Sequence, residues 1–71
     1  MEHPEIYLLI GQKLRQKRKI RDEKIQAVER ATGISHSVIS RIENGRYEML
    51  SLRAIIKLTD YYGIALLDIL T

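Results

Sequence analysis

A set of polar side chains that can form hydrogen bonds occupies one side of the segment GISHSVISRIENG, residues 33–45. On a helix, at roughly 100° per residue, these side chains fall within an arc of about 140°, opposite an apolar stripe. The polar residues are His36, Ser37, Ser40, Arg41 and Asn44, and the apolar residues are Val38, Ile39 and Ile42. The polar set contains no lysine or glutamate and consists mostly of short side chains. Such a helix can approach another molecule closely.

The chemistry that this polar face offers is hydrogen-bonded recognition. A guanidinium such as that of Arg41 can donate two hydrogen bonds to guanine O6 and N7. A serine or a histidine can bond to a base edge or to a phosphate. This combination on one narrow helix face favours a helix that enters the major groove of DNA.

The net charge of +3 is distributed unevenly along the chain. Between positions 13 and 24, seven basic residues stand against two acidic ones, Asp22 and Glu23. The basic residues are Lys13, Arg15, Lys17, Arg18, Lys19, Arg21 and Lys24. Such a density is typical of a surface that binds phosphates, although a solvated helix face gives the same pattern. The charge run alone leaves both interpretations open.

The composition argues against an enzyme, a metal site and a membrane protein. The 71 residues include no cysteine, and the two histidines, His3 and His36, are far apart in sequence. The sequence has no glycine-rich phosphate loop and no nucleophile with an evident base. The apolar run 6–10 is far shorter than the ~20 residues that cross a bilayer, and the N-terminus lacks the basic region of a secretory signal. We therefore predict a cytoplasmic domain without catalytic activity, metal or cofactor.

Apolar spacing and capping residues predict an all-α fold of five short helices in one domain, residues 1–71. The residues expected to begin and end them are Pro4 and Ile20, Asp22 and Gly33, Ser35 and Asn44-Gly45, Ser51 and Gly63, and Leu66 and Leu70. The second and third helices would form a helix-turn-helix over about 22–45. Gly11 inside the first helix costs about 1 kcal/mol relative to alanine, or else marks close packing.

From Gly11 to Leu70 the sequence resembles the Cro- and phage-repressor-type helix-turn-helix domain, known as the XRE family. The resemblance rests on Gly11, VERATGISHSVISRIENGR and SLRAIIKLTDYYGIALLDIL, and it requires no gap. Its segment ISRIENG is among the more diagnostic short strings of that family. The resemblance implies a compact, lambda-repressor-like five-helix domain whose third helix reads double-stranded DNA.

The resemblance also implies roles for individual residues. The positions that would read bases are His36, Ser37, Ser40 and Arg41, and those that would hold phosphates are Ser35, Asn44 and Arg46. Arg18 and Glu43 match an ion pair that ties the first helix to the end of the third. Losing one partner of such a pair costs about 3–5 kcal/mol where the other stays buried.

Several positions of the first two helices depart from the family pattern. Ile25 stands where similar domains have a glutamine that holds a phosphate and braces the third helix, and Lys24 is expected to replace that contact by charge. Glu29 stands where alanine is usual. Because an unpaired buried carboxylate is very costly, we expect Glu29 to lie at an edge in contact with solvent, to pair with an arginine, or to widen the helix crossing. Lys17 and Glu23 occupy positions that are often leucine, which predicts a thinner core between the first two helices.

Apolar residues near the C-terminus exceed what one helix face can bury. We predict a two-fold homodimer with an interface formed by Tyr61, Ile64, Leu67 and Leu70. The alternative is that Leu8 or Leu9 of the same chain covers this surface.

Together these features predict a small transcriptional regulator, a repressor, that binds an inverted-repeat operator through the major groove. The alternative is a protein-interaction module, such as an antitoxin or an accessory regulator with weak or no DNA binding of its own. Ile25 and Glu29 favour the alternative, whereas Arg41, Arg46 and the basic first helix favour DNA binding.

Overall fold

The computed structural model describes the backbone of residues 4–46 and 51–70 and the side chains of residues 5–46 and 51–69. Within these ranges the chain forms five helices and no strands, which confirms the predicted all-α class. The helices are α1 (Pro4–Ile20), α2 (Ile25–Thr32), α3 (His36–Glu43), α4 (Leu52–Tyr62) and α5 (Leu66–Leu70).

Serine side chains cap α3 and α4, as the sequence predicts. The Ser35 hydroxyl accepts a hydrogen bond from the Val38 N–H at 3.3 Å, and the Ser51 hydroxyl accepts one from the Ala54 N–H at 3.1 Å. Each bond satisfies a backbone donor that has no partner inside its helix. Gly33 follows α2 with a φ of 79°, a left-handed conformation that glycine adopts without steric cost.

Asp22 ends α1 and does not cap α2, which corrects the sequence-based expectation. Its φ is 54°, in the left-handed region that aspartate tolerates better than most residues. The Asp22 N–H donates to the Lys19 carbonyl, and the Glu23 N–H donates to the Arg18 carbonyl, the pattern of a Schellman ending. The N-cap of α2 is Lys24, which has the extended backbone that a cap requires but makes no side-chain cap hydrogen bond.

Nine apolar residues are buried together, and every helix contributes at least one of them. They are Ile10, Leu14, Val28, Ile39, Ile42, Ala54, Ile55, Leu58 and Ile69. α3 packs against both α1 and α2, so its apolar stripe faces this core. The opposite side of α3 is therefore left toward solvent.

Gly11 lies where α1 and α3 approach closely. A Cβ atom added to Gly11 would lie 2.3 Å from the Ile42 carbonyl oxygen and 2.8 Å from that of Glu43. Both neighbours are backbone atoms of α3, which cannot turn aside as a flexible side chain can. The glycine inside α1 therefore marks close packing, one of the two interpretations open at the sequence level.

Replacement of Gly11 by alanine is expected to destabilise the domain. The gain in helix propensity, about 1 kcal/mol, is smaller than the cost of pushing α3 outward, for which overpacked cores give about 1–3 kcal/mol and occasionally more. Urea denaturation followed by circular dichroism measures the difference. Gln12→Ala, at the exposed neighbouring position of α1, is the matched control and should leave the midpoint nearly unchanged. A midpoint for Gly11→Ala at or above that of the parent protein would contradict the expectation.

Candidate nucleic-acid interface

A tight turn of three residues, 33–35, joins α2 to α3. The Gly33 N–H donates to the Glu29 carbonyl at 2.8 Å. The Thr32 hydroxyl accepts from the Ile34 N–H at 3.2 Å and donates to the Val28 carbonyl at 2.8 Å. The Gly33 and Ile34 N–H groups are thus satisfied locally, which fixes the path of the turn into α3.

The outer side of α3 carries the polar residues that the sequence selects as base readers. His36, Ser37 and Arg41 are exposed and Ser40 is partly buried, while Ile39 and Ile42 on the inner side are 1% and 0% exposed. The helix therefore separates a packing side from a presented side. The presented side carries the serine hydroxyls, the His36 imidazole and the Arg41 guanidinium.

A buried ion pair holds the C-terminal end of α3 against α1. Arg18 Nε donates to Glu43 Oε2 and Arg18 Nη2 donates to Glu43 Oε1, both at 2.9 Å. Arg18 Nη1 also donates to the main-chain oxygen of Glu23 at 2.9 Å, so the guanidinium bridges α3 and the turn before α2. The hydrogen bond to Glu43 raises the pKa of Arg18, which keeps the guanidinium protonated. Two parallel bonds between planar groups fix orientation as well as distance.

Tyr62 lies beside this ion pair. Its hydroxyl is buried and has no hydrogen-bond partner among the described residues. Burial, and next the negative charge of Glu43, raise the pKa of Tyr62 to about 12. The ion pair is therefore located in a region from which water is largely removed.

Glu29 lies at the edge of the contact between α2 and α3, one of the placements expected from the sequence. Its side chain is 36% exposed, and its partner is His36, not an arginine. Glu29 Oε2 accepts a hydrogen bond from the His36 backbone N–H at 3.1 Å, and Oε1 lies 3.4 Å from His36 Nδ1. The carboxylate thus stands at the positive end of the α3 dipole, where negative charge is favourable.

The residues expected to hold phosphates lie at the start of the helix-turn-helix, in its turn and at its end. Lys24 is the exposed N-cap of α2, and Ser35 uses its hydroxyl to cap α3. Asn44 ends α3 and donates from Nδ2 to the Ser40 carbonyl at 2.8 Å, and Arg46 follows as an exposed residue. A surface groove brings several of these elements together. Its lining is Arg15, Arg18, Ile25, Ser40, Glu43 and Asn44.

Arg15 is the residue of this groove that sequence reasoning did not single out. It was visible only as one member of the basic run of α1, and nothing in its spacing distinguishes it from Lys13 or Lys19. The fold places Arg15 beside Asn44 and the beginning of α2. A cation, an amide and a helix N-terminus at one groove form a suitable environment for a phosphate.

The family profile described as a helix-turn-helix domain matches residues 9–68. The chain belongs to this helix-turn-helix domain family. The match begins inside α1 and ends inside α5, so it includes all or part of every described helix of the domain. No curated protein and no solved structure matches the chain.

The C-terminal surface of the helix-turn-helix domain presents one of the four residues predicted to form a dimer interface. Leu67 is 68% exposed, so its side chain is not covered by Leu8 or Leu9 of the same chain. Ile64 is partly buried against the core, and the side chain of Leu70 lies outside the described residues. A Cβ atom added to Gly45 would lie 2.6 Å from Leu8, which shows that Leu8 lies against the end of α3 instead.

Tyr61, the fourth of these residues, is engaged within its own chain. Its hydroxyl donates to the Glu23 carboxylate, and this bond raises the pKa of Tyr61. The Arg21 guanidinium lies 4.5 Å from the centre of the Tyr61 ring and donates to the Tyr61 carbonyl at 3.0 Å. Polar and cation–π contacts therefore join α4 to the turn after α1, where similar domains have a leucine in place of Glu23.

Two further observations concern metal binding and membrane insertion. Among the described residues, no group of three or more histidine, aspartate or glutamate side chains is placed to hold a metal ion. No helix in the described part of the chain is long and apolar enough to span a membrane.

The Arg18–Glu43 pair is expected to show strong coupling in a double-mutant cycle. Glu43→Leu should lower the free energy of unfolding by about 3–5 kcal/mol, because it leaves the Arg18 guanidinium buried without its counterion. The double variant Arg18→Met, Glu43→Leu should lose less free energy of unfolding than the sum of the losses in the two single variants. Urea denaturation of all four proteins measures the coupling, with Arg15→Met on the exposed side of α1 as the control. Strictly additive losses would contradict the interaction.

Proposed function

We propose that this protein is a sequence-specific DNA-binding transcriptional regulator of the Cro/XRE type, acting as a repressor at an inverted-repeat operator. The observation that carries the proposal is the two-sided construction of α3. Its inner side is fixed by core packing, by the close approach at Gly11 and by the Arg18–Glu43 pair. Its outer side carries short and forked hydrogen-bonding groups at the positions where helix-turn-helix proteins read bases.

Arg41 is the proposed main base reader of α3. It is exposed on the outer side of the helix, one turn beyond Ser37. Its guanidinium matches the two acceptors of guanine in the major groove, and Ser37 and Ser40 are short enough to let the helix come within reach. His36 lies at the first position of α3, adjacent to the same surface.

Sequence-independent affinity would come from the ends of the helix-turn-helix and from α1. The backbone donors at the start of α2 point out of a helix terminus that Lys24 does not cap with its side chain. Together with Arg15, Asn44 and Arg46, this terminus supplies positive potential and hydrogen-bond donors for phosphates. Because each neutralised phosphate releases counterions, binding should weaken steeply with salt.

A homodimer would extend this interface to two half-sites. Leu67, with Tyr61, Ile64 and Leu70 as neighbours, is the proposed contact around a two-fold axis. Two copies of α3 about 34 Å apart would then face successive major grooves on one side of the DNA. An inverted repeat follows from that symmetry. Occupancy of such a site blocks polymerase, which is why repression is the proposed outcome.

A protein-interaction role is the second candidate, and a specific observation favours it. Leu52 and Ile56 stand one turn apart on α4 and are 68% and 53% exposed. Together with Leu67 they leave apolar side chains on the surface that a larger partner, such as a toxin, could cover.

Selection of genomic fragments on the purified protein at moderate salt distinguishes the two candidates. Enrichment of an inverted repeat supports the DNA-binding proposal and identifies the operator. The absence of any enriched sequence, together with a protein partner recovered in a stable complex, would support the interaction module.

Two arginine substitutions should separate base reading from phosphate binding. Arg41→Ala is expected to weaken the free energy of binding to the operator by about 1–3 kcal/mol and to relax selection at one base position. Arg46→Ala should weaken binding to all DNA sequences equally and reduce the slope of log affinity against log salt concentration by about one. Fluorescence anisotropy with operator and random duplexes measures both. Equal losses on the two duplexes for Arg41→Ala would exclude a base-reading role.

The dimer interface can be tested with a matched pair of leucines. Leu67→Asp should yield a monomer in sedimentation-velocity experiments, because the charge would be buried between two copies. Leu52→Asp is the control, since Leu52 has the same exposed fraction, 68%, but lies on α4. A dimer that survives Leu67→Asp and dissociates with Leu52→Asp would place the interface on α4.

A further inference from the structure

Glu29 contacts the first residue of α3, His36, at two points. One carboxylate oxygen accepts the His36 backbone N–H at 3.1 Å, and the other lies 3.4 Å from Nδ1 of the His36 ring. Ile25, one turn earlier on α2, has an apolar side chain. The polar contact from α2 to the start of α3 comes from Glu29.

The position of the carboxylate determines which hydrogen-bonding group His36 presents. A carboxylate beside Nδ1 favours the tautomer that carries its proton on Nδ1, because two lone pairs facing one another would repel. In a neutral imidazole the remaining nitrogen, Nε2, is then an acceptor. The His36 side chain is 59% exposed, so part of the ring is open to a ligand.

We propose that Glu29 is a positioning residue that sets the base preference of His36. It holds the ring so that Nε2 accepts a hydrogen bond in the major groove. The bases that fit are those with an exocyclic amino group there, adenine through N6 or cytosine through N4. Guanine and thymine present only acceptors at the corresponding atoms. This inference rests on the proposed DNA-binding function.

The charge of Glu29 has a second consequence for the same site. A carboxylate at the start of α3 lies close to where the DNA backbone passes, and it repels phosphates. It therefore lowers affinity for every sequence while it raises discrimination at one position. Glu29 thus lowers sequence-independent affinity and raises selectivity.

Two substitutions of Glu29 separate these effects. Glu29→Gln removes the charge but retains an oxygen that can accept from His36, whereas Glu29→Ala removes both. The probes are the duplex enriched in the genomic selection, its variants at each base pair and a random duplex, measured by anisotropy at pH 8, where histidine side chains are ordinarily neutral and carry one ring proton. Asp60→Asn, a carboxylate loss at an exposed position of α4, is the matched control for charge.

Both Glu29 variants should bind the random duplex about threefold more tightly, the size of a single screened charge contact. Glu29→Ala should also lose about fivefold in preference for the amino-bearing base at one position per half-site, the size of one hydrogen bond. Glu29→Gln should retain that preference. His36→Ala should abolish it, and the double variant Glu29→Ala, His36→Ala should lose no more preference than His36→Ala alone.

Two results would overturn the inference while the proposed function stands. One is a specific parent protein whose base preferences do not change in Glu29→Ala. The other is a His36-dependent preference that is lost when 7-deazaguanine or 7-deazaadenine replaces the purine, because only a histidine that donates to N7 would need that acceptor. A parent protein that prefers no sequence over the random duplex would instead overturn the proposed function itself. Urea midpoints of all variants show whether each protein is folded under the assay conditions.

Discussion

The buried pair of Arg18 and Glu43 is the interaction on which the orientation of α3 depends. Removing two charges from water carries a desolvation cost of several kcal/mol per ion, so such a pair is not an obvious source of stability. Its value here is geometric. Two parallel hydrogen bonds and a third to the Glu23 carbonyl fix α3 relative to both α1 and the turn before α2. An apolar contact of equal area has no such directional hydrogen bonds.

Gly11 complements the ion pair by fixing the distance between the same two helices. The backbone carbonyls of Ile42 and Glu43 lie where a Cβ atom of any other residue would have to be. Close backbone approach brings the guanidinium and carboxylate within bonding reach. The distance and the orientation of α3 are therefore set by two residues of α1, Gly11 and Arg18, which lie about two turns apart on that helix.

Local sequence signals predicted most of the fold, because α1, α2, α3 and α4 each begin or end at a residue with a clear physical preference. Ser35 and Ser51 cap the N-termini of their helices and Gly33 ends α2, as the chemistry of each residue predicts. Asp22 was misassigned because aspartate suits both a helix N-cap and a left-handed C-terminal position, and only the backbone of the completed turn decides between them. The partner of Glu29 could not be read from the sequence either, since His36 comes within reach only after the turn at Gly33 folds α3 back. The exposure of Leu67 depends on the packing angle of α5, which local patterns do not encode.

The division of α3 into a fixed side and a presented side has a consequence for divergence. Substitutions at Ser37 or Arg41 alter the presented surface without touching Ile39, Ile42 or Glu43, so new specificities can arise on an unchanged scaffold. His36 is the exception because its backbone and ring both contact α2. If the α3 surface residues of another domain are introduced into this one, positions 29 and 36 therefore have to be changed together.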